Sequence, residues 1–182
     1  LSALARDPYE GETLISPMNS TDTFLMDMNG DILQTWNFSA RPTSIGYLLS
    51  DGSVVRPGKD PDGSFDNPTA GGWLQRVDNS NNLVWEYYFS EYLHQQHHDI
   101  EPMPNGNVLV IAWERKTNQE ALDMGRVGIT GELWPTYIAE IEPVGATGGN
   151  IVWEWKAWEH LIQNVEPSKP TYGLSAAHRQ LI

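Results

Sequence analysis

Apolar and polar residues alternate over short stretches along most of the chain, and the stretches end in residue pairs that turn a backbone sharply. Thr23-Phe24-Leu25-Met26-Asp27-Met28 leads into Asn29-Gly30, and Asp31-Ile32-Leu33-Gln34-Thr35-Trp36 leads out. Alternation with a period of two around such a pair predicts a β-hairpin. The expected turn is type I′, because Asn and Gly tolerate positive φ. A second hairpin follows, with Asp51-Gly52 between Ile45-Gly46-Tyr47-Leu48-Leu49 and Ser53-Val54-Val55-Arg56. Residues 73–78 and 83–88 flank a turn at 79–82, and Asn105-Gly106 precedes a near-continuous apolar arm from Asn107 to Trp113. Residues 137–142 and 151–155 complete the series. Helical spacing is confined to two short stretches, 118–125 and 156–163.

The hairpins recur at a regular distance. Trp36 and Trp85 lie 49 residues apart, Gly52 and Gly106 lie 54 apart, and Trp85 and Trp153 lie 68 apart, the last interval lengthened by an insertion at 115–135. A period of about 50 residues holding four strands is the size of one β-propeller blade. One small twisted sheet cannot bury both faces, so such units stack around an axis. The expected fold is therefore all-β, a β-propeller, with blades at roughly 13–60, 71–115 and 136–182 of a single domain. A β-sandwich with coincidental spacing is the alternative. About three four-stranded blades are fewer than closed propellers use, so the remainder of the propeller is expected from the same polypeptide or a companion chain.

Composition narrows the function more than the fold. Eight Trp, seven Tyr, sixteen Gly and twelve Pro suit many short strands joined by turns. A net charge of −13 with only eleven Lys and Arg argues against nucleic acid, which needs a basic surface. No cysteine is present, which excludes thiolate zinc sites and disulfides. No apolar stretch is long enough for a membrane span.

Candidate chemistry gathers in His94-Gln95-Gln96-His97-His98-Asp99-Ile100-Glu101. Histidine changes charge near neutral pH, so it can attack as a neutral ring or donate to an anion when protonated. Asp99 could orient a histidine by accepting from one ring nitrogen. Structural roles compete: His97 packing inward, Asp99 capping a turn, His94 in a loop. A divalent metal on His94, His97, His98 and Asp99 is a further reading, weakened because adjacent strand residues point to opposite faces. Asp60, Asp62 and Asp66 resemble the start of a Ca²⁺ loop without its distal Glu, so a plain Asp-Gly loop is the simpler reading. Tyr87, Tyr88, Trp113 and Trp134 could line an aryl pocket or be core. His160 and His178 have no evident partner in the sequence.

Gly72 to Glu86, Gln96-His97-His98-Asp99-Ile100-Glu101-Pro102-Met103-Pro104-Asn105-Gly106-Asn107, Gly131-Glu132-Leu133-Trp134-Pro135, Asn150-Ile151-Val152-Trp153-Glu154-Trp155 and Trp158-Glu159-His160-Leu161-Ile162-Gln163 carry a resemblance. Through them the chain resembles the arylsulfate sulfotransferase family, from about Gly11 to the C-terminus. The resemblance implies a six-bladed propeller of the periplasm or extracellular space, of which this is the N-terminal part. It implies transfer of a sulfuryl group from an aryl sulfate to a phenol through a histidine intermediate, with no cofactor and no nucleotide sulfate donor. His98 would match the family's first axial histidine, a sulfate-binding group, with His97 and Asp99 as possible support. The family's second axial histidine with its neighbouring arginine, and the attacking histidine, have no match here and would lie beyond Ile182, so no catalytic nucleophile is expected in this chain. A non-catalytic secreted propeller, used for ligand binding or assembly, is the alternative from a different class.

Overall fold

The computed structural model describes residues 9–173; the arm at 1–8 and the tail holding His178 lie outside them. The fold is all-β. Among the described residues eleven strands run β1 Thr13–Ile15, β2 Asp22–Met26, β3 Ile32–Asn37, β4 Tyr47–Leu48, β5 Val54–Lys59, β6 Gly72–Val77, β7 Leu83–Tyr88, β8 His94–Pro102, β9 Val108–Glu114, β10 Thr136–Val144 and β11 Gly148–Lys156. They make three antiparallel sheets in chain order, β1-β2-β3, β4-β5-β6-β7 and β8-β9-β10-β11. Among the described residues no helix is long and apolar enough to cross a membrane.

The sheets stack face to face. Trp36 and Phe38 of the first pack on Val54 and Val77 of the second. Val55, Leu74, Trp85 and Phe89 pack on Val110, Ala112, Tyr137, Ala139 and Ile141 of the third. Val54 and Val55 are neighbours on one strand and point to opposite faces, so the middle sheet is buried on both sides. Each fully buried aliphatic or aromatic side chain contributes about 1.5–3 kcal/mol. The far face of the third sheet is different: Leu109, Ile111 and Ile138 are only half-buried, and Trp153 is 49% exposed.

The units expected at 13–60, 71–115 and 136–182 are grouped differently in the structure. The hairpin of β4 and β5 pairs with that of β6 and β7, and the hairpin of β8 and β9 pairs with that of β10 and β11. Turn residues specify a hairpin but leave its outer edges free to pair with the hairpin on either side. The loops 60–71 and 115–135 therefore both connect the second and third strands of a sheet, and the shorter links 38–46 and 89–93 pass between sheets. All four meet at one end of the stack, where Arg115 donates to the Ser64 and Tyr92 carbonyls and Ser64 Oγ donates to the Glu91 carbonyl. The opposite end carries only tight turns.

Four of those turns share one geometry, and it is not type I′; the fifth, at 145–147, has its positive φ at its first residue, Gly145 (59°). Gly30 N donates to the Asp27 carbonyl and Asp27 N to the Asp31 carbonyl; the same pair of bonds closes Leu49 to Ser53, Asp78 to Asn82 and Met103 to Asn107. In these four only the fourth residue has positive φ: Gly30 (89°), Gly52 (81°), Asn81 (63°) and Gly106 (89°). This is a type I turn followed by a left-handed residue, the three-residue hairpin loop with a bulge. Asn29 and Asn105 are spared positive φ, and their turns are stapled by side chains instead: Asp27 Oδ1 accepts from Asn29 N and Asp31 N, and Asn105 Oδ1 from Asn107 N.

The last strand of every sheet bulges once, at Leu33, Val84 and Val152. Counted from these bulges, Trp36 is equivalent to Tyr87 and Trp155, two residues beyond the Trp85 and Trp153 suggested by spacing alone. The next sheet's turn docks on this strand: Gln34 Nε2 donates to the Asn79 carbonyl, and Trp85 Nε1 to the Gly148 carbonyl at 2.8 Å.

The helix expected at 118–125 forms as α1, Asn118–Asp123, started by a capping box in which Thr117 and Glu120 satisfy each other's backbone N–H groups. The helix expected at 156–163 is only a 3-10 turn, Ala157–His160. Leu161 returns to an extended backbone there, and no side chain caps the N-terminus.

Candidate functional site

The polar run 94–99 lies within β8, the edge strand that opens the third sheet. Gln96 is opposite Ala112 and Ile100 is opposite Val110, so His97, His98 and Asp99 together face the single residue Ile111. This double insertion puts His98 at φ 53°, in the left-handed region. For a residue with a side chain that conformation costs about 1 kcal/mol or more, and persists only when the surroundings hold it.

The holding is done by the loop 60–71. His98 N donates to the Thr69 carbonyl and Gly71 N to the Gln96 carbonyl. The buried glutamines clamp the same loop. Gln95 Oε1 accepts from Phe65 N while its Nε2 donates to the Gly71 carbonyl at 2.7 Å; Gln96 Oε1 accepts from Gly72 N. A Cβ at Gly71 would meet Gln96 Oε1 at 2.0 Å, so a side chain there would push the Gln96 arm of the clamp aside. From the link 38–46, Thr43 Oγ1 donates to the His98 carbonyl.

The bulge separates the side chains. His97 turns inward, 6% exposed, and stacks on Trp113 with ring centroids 4.2 Å apart. His98 is exposed. The two rings meet at right angles with Nδ1 atoms 2.8 Å apart. Burial first, then the neighbouring His98 ring, push His97 down to about 4 from the ordinary 6.5.

A stability effect follows from that depression. Between pH 6.5 and 4 the unfolded chain binds a proton at His97 that the folded chain refuses, so stability falls as pH drops through this window. Urea unfolding at pH 7 and pH 5 is expected to show His97→Asn losing about 2 kcal/mol less than the wild type on acidification. Equal losses would mean that His97 is not held neutral.

Asp99 does not orient a histidine. Its Oδ2 accepts from Tyr47 Oη at 3.0 Å and its Oδ1 from Ile100 N at 2.9 Å. The Tyr47 hydroxyl is pushed up to about 12 by burial, the Asp99 hydrogen bond and charge, and Glu101. His94 is a strand residue and not a loop residue: its half-buried ring packs 4.5 Å from Phe89 and edge-on to Tyr137, and burial lowers its pKa. Among the described residues no three of His, Asp and Glu converge to hold a metal ion. Asp60 serves a plain turn, its Oδ1 accepting from Asp62 N.

The four candidate aryl-pocket residues divide. Trp113 and Trp134 come together, 5.5 Å apart, with Phe65 against both and His98 6.4 Å from Trp113. Arg115 lies over Phe65 and Tyr92 and pairs with Glu132. Tyr87 instead packs between the second and third sheets, and Tyr88 stacks on Trp73. His160 stacks on Trp155 at 5.1 Å.

Sequence reasoning missed Tyr47, Thr43, Phe65 and the glutamine clamp. One signal was available for the last: six consecutive polar residues inside a strand need partners from elsewhere. Tyr47 gave none, because its meeting with Asp99 depends on how two sheets are placed.

No family model matches the chain, and no curated protein matches its sequence.

Proposed function

We propose that the three sheets are consecutive blades of a propeller of the arylsulfate sulfotransferase kind, and that His98 binds the sulfate oxygens of an aryl sulfate beside the propeller axis. The observation that carries this is the placement of His98: a strained residue on the strand that opens its sheet, anchored through its backbone from two loops, with its ring open while its neighbours are engaged. Strain of this kind collects where a side chain must be aimed. The Trp113, Trp134 and Phe65 cluster beside it offers a surface for an aryl group. The half-bare face of the third sheet supports further blades, since the other two sheet contacts show what such a face packs against.

The attacking histidine belongs to the missing blades in this reading, so the residues here bind and do not attack. The phenolic acceptor and a periplasmic or extracellular location go with it. A charge-assisted hydrogen bond is worth about 1.5–3 kcal/mol, so His98→Ala is expected to weaken binding of 4-nitrophenyl sulfate, followed by calorimetry in both proteins, at least tenfold. In a protein carrying the remaining blades the same change lowers sulfuryl exchange with phenol. Wild-type binding that ignores the His98 change overturns the proposal. Binding without exchange leaves a non-catalytic propeller.

A further inference from the structure

We infer that His97 is the positioning residue of His98: its buried neutral ring is the fixed acceptor for His98 Nδ1–H, so that protonated His98 presents Nε2–H to the open side. This rests on the reading of His98 as an anion-binding group.

Two nitrogens 2.8 Å apart share one proton between them. With both rings neutral, that proton can belong to either. Once the pair gains a second proton, only one arrangement remains. His97 is the poorer host for it, enclosed against Trp113 with Nε2 buried, where the Ala112 carbonyl alone favours a proton and is outweighed by burial and the His98 ring. The charge therefore sits on exposed His98, whose Nδ1–H must donate to His97 Nδ1. Its Nε2–H then points away from the pair. The depressed basicity of His97 agrees with this order.

The groups around the pair leave His97 alone in this role. Trp113 of β9 contributes a ring face, Thr69 a carbonyl and Thr43 a hydroxyl. The Asp99 carboxylate is turned to Tyr47 of β4 and Ile100 N. Among the described residues the only charge that bears on His97 is that of His98. A neutral acceptor suits an anion site better than the carboxylate usual beside a working histidine. It fixes the ring without cancelling the charge that attracts sulfate.

The test uses ¹⁵N-labelled chain at a pH where His98 is protonated. A scalar coupling across the hydrogen bond between the two Nδ1 atoms, with slow solvent exchange of the His98 Nδ1 proton, is expected in the wild type. His97→Asn, whose Oδ1 can replace Nδ1, should keep the slow exchange and bind inorganic sulfate within about threefold of the wild type. His97→Phe, which keeps the stacking on Trp113, should exchange fast and bind at least fivefold more weakly. His97→Asp should keep the slow exchange and lose sulfate. Absence of the coupling in the wild type, or slow exchange surviving in His97→Phe, overturns the inference. Should the coupling be present while the wild type binds no sulfate, the positioning role stands and the sulfate reading falls.

Discussion

Val110→Asp unfolds the chain, whereas Ile111→Asp, one residue along the same strand, costs about 1–2 kcal/mol. Val110 has no exposed surface and lies between the second and third sheets, against Leu74, Ala139 and their neighbours. No donor there can satisfy a carboxylate, and burying one without a partner costs several kcal/mol even after it takes up a proton. That is a large part of the 5–15 kcal/mol typical of a domain. Ile111 points to the half-covered face with Leu109 and Ile138. Far-ultraviolet circular dichroism with urea titration of both variants reads the difference. Equal unfolding by the two would mean that the third sheet is packed on both faces. A protein in which a further sheet covers this face would make Ile111→Asp as costly as Val110→Asp, so the pair of variants also tests the propeller reading.

Trp85→Ala is expected to cost about 3–5 kcal/mol, and Trp85→Phe about 1–2 kcal/mol. Trp85 is 3% exposed, part of the larger core, and its Nε1–H donates to the Gly148 carbonyl across the sheet contact. Glu86 N adds a backbone bond to the Ala146 carbonyl beside it. Alanine removes both the ring and the bond and leaves a cavity where two sheets meet. Phenylalanine restores most of the volume and leaves one carbonyl unpaired. Chemical denaturation gives both values, and a loss below about 1 kcal/mol for alanine would place the ring outside the core.

The hairpins could be read from the sequence because their causes are local. Asn-Gly and Asp-Gly pairs fix where the chain reverses, and alternation fixes what each arm buries. The turn type was less accessible, since Asp27 or Asn105 can staple a turn that leaves Asn29 and Asn105 at ordinary φ. Sheet membership was not local at all. Whether β4 and β5 pair forward or backward is decided by packing over tens of residues, which is why the units came out half a period off. The site shows the same division. A histidine pair inside a strand marked the place, but the outward turn of His98 comes from a two-residue insertion against β9 that no residue type announces. The expected service of Asp99 to a histidine gave way to Tyr47, which reaches it from another sheet.

The division of the molecule into a rim of long loops and a rim of tight turns has a practical consequence. The segments 60–71 and 115–135 bring Phe65 and Trp134 to Trp113 without belonging to any strand, but only 60–71 is tied to β8 by the glutamine clamp, so residues around Trp134 can be exchanged with the backbone bonds that hold His98 left intact. An affinity tag or fluorescent partner spliced into the exposed turn at 27–31 would sit on the far rim, away from that aromatic surface, whereas the turn at 78–82 is occupied by its contacts with Gln34, Thr35 and Asn37 of the first sheet.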